Sequence, residues 1–231
     1  MNFDHYGFGP ALAAGTLMTI KLALSALSVG LVLGLLGALG KTSPHKSLQW
    51  LGGGYSTLVR GVPELLWVLL IYFGTVNLMR SIGEYFNNPG LELNAFAAGT
   101  IALGLCFGAY ATEVFRGAIL AIPKGHREAG QALGLSKIRI FWRIILPQMW
   151  RIALPGLGNL FMILMKDTAL VSVIGLDEIM RRSQIAVTAS KEPFTFFLVA
   201  AFIYLGLTVF AMSVMFFLEK RAARGFKRSA T

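Results

Sequence analysis

The chain has 231 residues, 55% of them hydrophobic and 14% charged, with a formal net charge of +10 and a mean hydropathy of +0.66. A soluble domain carries roughly 45–50% apolar and about 25% charged residues. An ordinary soluble enzyme, a disordered chain, a collagen-like fibre and a small disulfide scaffold are therefore set aside. The apolar share is about 127 residues, enough for about five or six membrane spans of roughly 20 residues each.

In chain order, the first ten residues hold Asp4 and no Lys or Arg, so no cleavable signal is expected. The first apolar run covers residues 11–39, interrupted mainly by Lys21, whose long stem can snorkel. A basic loop with Lys41, His45 and Lys46 follows. The second run covers 62–79, with Arg60 and Glu64 flanking Pro63 at its start, where proline suits a first helical turn. Asn87-Asn88-Pro89-Gly90 then marks a turn. The third run covers 95–122 and contains Cys106, Glu113 and Arg116. A lone cysteine in an apolar run reads as a small buried residue. A polar, basic segment occupies 123–143, within a loop that runs on to 147.

The fourth span lies within 144–176. Pro147, Arg151, Pro155 and Lys166-Asp167 interrupt the hydropathy, leaving Ile144–Met165 and Leu154–Leu176 as alternatives. In the second case Pro155 and Gly156 would permit a broken helix. The last run covers 194–218, and a basic tail follows.

Five spans place the two ends on opposite sides. One side collects 12 Lys and Arg, from the loop after span one, the segment 123–147 and the tail; the other collects 5. The positive-inside rule then puts the N-terminus outside and the C-terminus in the cytoplasm. The same rule accounts for the high pI, so nucleic-acid binding is not required.

Several motifs need weighing. Gly34 to Thr42 reads GLLGALGKT and resembles a phosphate-binding loop, but Leu35 stands where the motif needs its first glycine. Gly30 and Gly34, like Gly104 and Gly108, are four apart. That spacing either lets helices approach closely or faces lipid without a partner. The segment Glu128–Pro147 reads EAGQALGLSKIRIFWRIILP. It starts as a short helix with Glu128 in its first turns, where a carboxylate suits the dipole. Ala129 and Ala132 form a small flat surface, and Gly134 ends or bends the helix. His5, His45 and His126 have no metal-ligand spacing, and no catalytic constellation is visible.

Glu128, Ala129, Gly134, Ile144, Leu146 and Pro147 match, residue by residue, the hallmark loop of importer-type ABC transporter permeases. Gly130 replaces the second alanine of that pattern, a departure that would loosen the helix. Arg60-Gly61-Val62-Pro63-Glu64-Leu65, Gly108-Ala109-Tyr110 through Glu113 to Arg116-Gly117, and Leu154-Pro155, Asn159 and Lys166-Asp167-Thr168-Ala169-Leu170 resemble the polar amino-acid permeases. Within that group the chain is most similar to subunits of histidine and arginine/ornithine permeases.

The resemblance implies an all-α integral membrane permease of the type I importer kind, multi-pass in a bacterial inner membrane. Its cargo would be a polar, basic amino acid. It implies a second permease subunit, two ABC ATPase subunits and an extracytoplasmic solute-binding protein as partners. ATP would be hydrolysed on the ATPases, with no cofactor or metal on this chain. Glu128, Ala129, Gly130, Gly134, Ile144, Leu146 and Pro147 would form the coupling loop. Glu113, Asn159, Lys166 and Asp167 are the candidates for the substrate path. Charges in hydrocarbon mark paths or pairs. Glu113 either pairs with Arg116, three residues on, or meets a cationic substrate. Asp167 either pairs with Lys166 at the outer interface or lies at membrane depth. An ion channel or ion-coupled carrier would explain the spans and charges but not the spacing in Glu128–Pro147.

Overall fold

The computed structural model describes residues 8–85 and 94–223. Asp4, His5, the Asn87–Gly90 turn and the tail residues Arg224, Lys227 and Arg228 lie outside the described residues. Helices are α1 (Phe8–Lys41), α2 (Lys46–Arg60), α3 (Glu64–Tyr85), α4 (Ala95–Leu120), α5 (Lys124–Ala132), α6 (Lys137–Ile140), α7 (Leu146–Asp167), α8 (Ile179–Ser190) and α9 (Pro193–Ala222). No strand occurs among the described residues. α1, α4, α9 and the run Lys137–Ile174 are each long and apolar enough to cross a membrane; α2 and α3, bent by 104° at their junction, make a fifth candidate.

α1 and α4 are apolar all round, as buried or lipid-facing helices must be. They run parallel, and small residues set their separation. A Cβ at Gly34 would lie 2.6 Å from Ala111 Cβ, and one at Gly104 would lie 2.8 Å from Val29 Cγ1. The two glycine pairs therefore serve close packing and not lipid. The GLLGALGKT stretch is the last turns of α1 and its end, with no phosphate-binding loop.

Two sequence expectations are corrected. The stretch after span one contains a full helix, α2, where a basic loop is expected. Its hydropathy is low and it holds Gly52, Gly53 and Gly54, so an apolar-run reading passes over it. Gly52, Ser56 and Val59 turn inward at i, i+4 and i+7, while Trp50, Leu51 and Leu58 are exposed.

The fourth span is the second correction. Helical structure continues from Lys137 to Ile174, so it contains Ile144–Met165 whole and all but the last two residues of Leu154–Leu176. Pro155 lies inside α7 without breaking it. Its ring is exposed, and Gly156 lies close against α4, where a Cβ would sit 2.9 Å from Val114 Cγ1. The irregularity occurs at the two ends of α7. A π-turn at Phe141–Ile145 precedes it, with the Leu146 N–H reaching back to the Phe141 carbonyl. That wide turn accommodates Pro147, which cannot donate. A 3₁₀ segment, Thr168–Ile174, follows Asp167 and ends at Gly175 with φ of +90°.

Candidate functional site

Three carboxylate environments, at Glu113, at Asp167 with Glu64, and at Glu178, and one surface hairpin stand out in the chain. The hairpin is α5 with the turn after it. α5 starts at Lys124, so Glu128 lies in its second turn and not its first. The dipole argument for Glu128 therefore fails, since the effect fades beyond one turn. Gly134 takes φ of +70°. Its N–H bonds to the Gln131 carbonyl and the Leu135 N–H to the Gly130 carbonyl, a paired closure of a helix end that needs a left-handed residue.

Gly130 is buried, and a Cβ there would lie 2.9 Å from Ile140 Cγ1 and 3.0 Å from Ile144 Cδ1. The glycine thus seats α5 on two isoleucines instead of loosening it. His126 Nδ1 lies 2.8 Å from Gln148 Oε1, adding a polar tie between α5 and α7. The opposite face is open: Glu128, Ala129 and Ala132 are exposed, Leu133 is 79% exposed, Ile138 72% and Trp142 61%. An exposed apolar surface of this kind is of the sort that meets a protein or a membrane.

Glu113 sits two turns before the end of α4 and gathers ligands from three helices. Lys41 of α1 forms an ion pair and a hydrogen bond with Oε1. Ser56 of α2 donates to Oε1 at 3.1 Å. Arg116 Nε donates to Oε2 at 2.9 Å, and Arg60 NH1 lies 3.6 Å from Oε1. The expected Glu113–Arg116 pair is thus part of a larger cluster. One carboxylate serves three cations, so a further cationic group would meet net repulsion there. Lys41 and Arg60 were out of reach of sequence reasoning, being 72 and 53 positions from Glu113.

Asp167 has the opposite setting. It is half-buried and lines a cavity of about 160 Å³ with Glu64, Leu103, Cys106, Phe107, Tyr110, Leu160, Ile163 and Leu164. The cavity lies level with the middle of α4. Its two charged lining residues are both acidic, and its walls are apolar. Glu64 opens α3 at the bend from α2, and its Oε1 accepts a hydrogen bond from Tyr110 Oη at 3.1 Å. Sequence reading treats Glu64 as an entry residue; a carboxylate opening an apolar run was the available signal. Asn159 and Lys166 are exposed on α7, outside the cavity lining.

The third carboxylate, Glu178, was not singled out in the sequence. It is fully buried and caps α8, accepting from Met180 N at 2.9 Å, Arg181 N at 2.8 Å and Tyr204 Oη at 2.8 Å. Burial is the largest influence and holds its carboxyl above the usual range, against the pull of the three donors.

Comparison with known proteins agrees with this architecture. Residues 30–224 match the family model described as binding-protein-dependent transport system inner membrane component. The histidine/lysine/arginine/ornithine transport system permease protein HisQ of Escherichia coli is 41% identical over 97% of this chain and 98% of its own length. The arginine ABC transporter permease protein ArtQ of the same organism is 42% identical over 96% and 98%. A solved amino acid ABC transporter with histidines superposes with a TM-score of 0.79 at 32% identity, covering 96% of this chain and 99% of that one. The MetNI methionine ABC transporter, in an inward-facing conformation, shares the fold at a TM-score of 0.72 and 15% identity. With near-full-length relatives above 40% identity and the family model spanning most of the sequence, the chain belongs to the binding-protein-dependent transport system inner membrane components, the permease subunits of ABC importers.

Proposed function

We propose that this chain lines the translocation path of an ATP-driven importer for basic amino acids: arginine, ornithine, lysine or histidine. The observation that carries the reading is the Glu64–Asp167 cavity, two carboxylates in apolar walls with no cation among the lining residues. An ammonium or guanidinium entering there meets charge-assisted acceptors, roughly twice as strong as neutral ones. α3 starts at Glu64, and the positive end of its dipole suits the carboxylate that every amino acid carries. The names of HisQ and ArtQ, with their histidine, lysine, arginine and ornithine, support the same class. Glu113 belongs to the framework in this reading; Asn159 and Lys166 line the path outside the cavity.

The cavity opens at the surface of one subunit, so a second permease subunit completes the path. One of two ATPases docks on the exposed α5 hairpin of each permease subunit, through Glu128, Ala129 and Gly134 here, while Gly130 and the Ile144–Pro147 turn seat the hairpin from beneath. The ATPases bind and hydrolyse the ATP, and this chain holds no cofactor. An extracytoplasmic binding protein delivers the substrate. The N-terminus is outside and the C-terminus cytoplasmic, in keeping with the 12-to-5 basic count and the parallel course of α1 and α4.

The test is uptake by the reconstituted importer, with labelled arginine competed by glutamine. ATP-dependent uptake that favours the cation, and a loss of that preference in Asp167→Asn, supports the reading. Uptake driven by an ion gradient without ATPase would overturn it in favour of a carrier. An unchanged preference in Asp167→Asn would overturn the cationic cavity.

A further inference from the structure

The Glu113 cluster and the Glu64–Asp167 cavity are joined by two side chains. Arg60 has NH1 3.6 Å from Glu113 Oε1 and its guanidinium carbon 5.6 Å from the centroid of the Tyr110 ring. A guanidinium at that range is held by the quadrupole of the ring. Tyr110 in turn donates its hydroxyl to Glu64 and lines the cavity. The chain Glu113–Arg60–Tyr110–Glu64 therefore crosses from α4 to the end of α2, back to α4, and on to the start of α3. It passes through the 104° bend at every second step. Trp67 Nε1 clamps the same bend by donating to the Val59 carbonyl at 3.1 Å.

This geometry has two consequences for the cavity. The phenol engages one oxygen of Glu64, so the carboxylate is oriented before any substrate arrives, with its second oxygen left for a cation. Arg60 brings a positive charge to the Tyr110 ring, while Glu113 holds that guanidinium outside the cavity lining. Without the Glu113 anchor, the long arginine side chain would be free to turn toward Glu64 and compete with a cationic substrate.

We propose that Tyr110 and Arg60 are positioning residues for charge selectivity: Tyr110 orients Glu64, and Arg60, anchored on Glu113, fixes the Tyr110 ring. The inference rests on the cationic reading of the cavity and adds residues that act through Glu64 without touching substrate charge themselves.

The purified, reconstituted importer tests it through the concentration dependence of arginine and glutamine uptake at matched protein levels. Tyr110→Phe keeps the ring under Arg60 and removes the hydroxyl. A hydrogen bond to a charged group is worth enough to raise the arginine KM roughly tenfold, with the glutamine KM and both kcat values unmoved. Arg60→Gln should raise the arginine KM by a smaller factor, and Arg60→Lys should recover part of it. Equal losses for both substrates, or a fall in kcat alone, would overturn the proposal and make these residues a scaffold for the bend. Glu64→Gln separates the two levels. If it leaves the arginine KM unchanged, the cationic cavity itself fails. If it raises that KM while Tyr110→Phe and Arg60→Gln do not, the cavity stands and the positioning role is lost.

Discussion

Glu113 and Asp167 are both carboxylates at helix positions that hydropathy assigns to membrane spans, yet their surroundings are opposite. Glu113 is over-compensated, with Lys41, Arg60 and Arg116 around one charge. Asp167 shares an apolar-walled cavity with a second acid, Glu64. Glu178 is a third solution, buried and held by two backbone N–H groups and a phenol. A desolvated charge must be met by something. Where the chain itself meets it, the carboxylate ties helices together. Where the chain withholds the partner, as at Asp167 and Glu64, the charge is left for a group from outside, which is what the proposed function requires.

This contrast can be broken in graded ways. The largest effect is expected at a position remote from all three acids, which serves as the reference for lost coupling. Gly134→Asp should abolish ATP-dependent uptake of every substrate while the protein inserts in normal amount. Among the described residues, none but the immediate neighbours of Gly134 lies within 4 Å of a Cβ built there, so a side chain would project into the space that the proposed ATPase contact occupies. Gly134→Asn tolerates the left-handed backbone and should fail too if docking is at issue. Normal uptake by Gly134→Asn, with ATPase retained on affinity purification, would reduce the glycine to a backbone requirement.

Glu113→Gln comes next. It leaves three cations facing one another, and breaking a fully buried pair costs roughly 3–5 kcal/mol. Glu113 is a quarter exposed, so screening brings the expected loss nearer ~2 kcal/mol. Thermal unfolding of the solubilised complex should report it, with every substrate affected and arginine more than glutamine, because Arg60 loses its anchor. Adding Lys41→Met should recover part of the stability. Selective loss of arginine uptake in Glu113→Gln, with stability intact, would erase the distinction between the two sites.

Asp167→Asn should be milder for the fold and sharper for selectivity. Arginine uptake should fall about tenfold, the scale of one charge-assisted hydrogen bond, while glutamine uptake and protein level hold. Glu178 should give the smallest and most gradual signal. Its folded value is raised above the ordinary 4.5 by burial. Its favourable contribution is therefore fully present below that ordinary value and is lost as pH rises through the folded value. Melting temperature measured against pH should decline across that window in the wild type, and the decline should flatten in Glu178→Gln. A decline that persists unchanged in the variant would assign the effect to another group.

Much of the fold is legible in the sequence because lipid imposes a simple rule. α1, α4 and α9 are long apolar runs, and any span reading finds them. α2 is not legible because its inward face is made of Gly52 and Ser56, which carry no hydrophobic signal. The α5 hairpin is legible because its residues follow one another at fixed spacing. Asp167 stands out as a charge in an apolar surround, but Glu64 looks like an ordinary residue of a first helical turn. Which acid is paired depends on Lys41 and Arg60, and only the parallel packing of α1 on α4 and the bend after α2 bring those cations to Glu113. Sequence separation hides such partners, whereas local periodicity exposes a span.

The seat of Gly130 on Ile140 and Ile144 gives the hairpin a mechanical meaning. With no Cβ between them, α5 rests almost directly on the beginning of the rod that runs to Ile174. Asp167 lies 23 residues beyond Ile144, about 35 Å along that rod at the rise of a helix. The rod passes Pro155 without a hinge. A load applied to α5 is thus delivered to the base of a stiff arm whose far end carries one wall of the acidic cavity. Glu64, on the far side of the bend, opens a different helix, so a tilt of the arm would change the gap between the two acids: a pair of jaws worked from the handle.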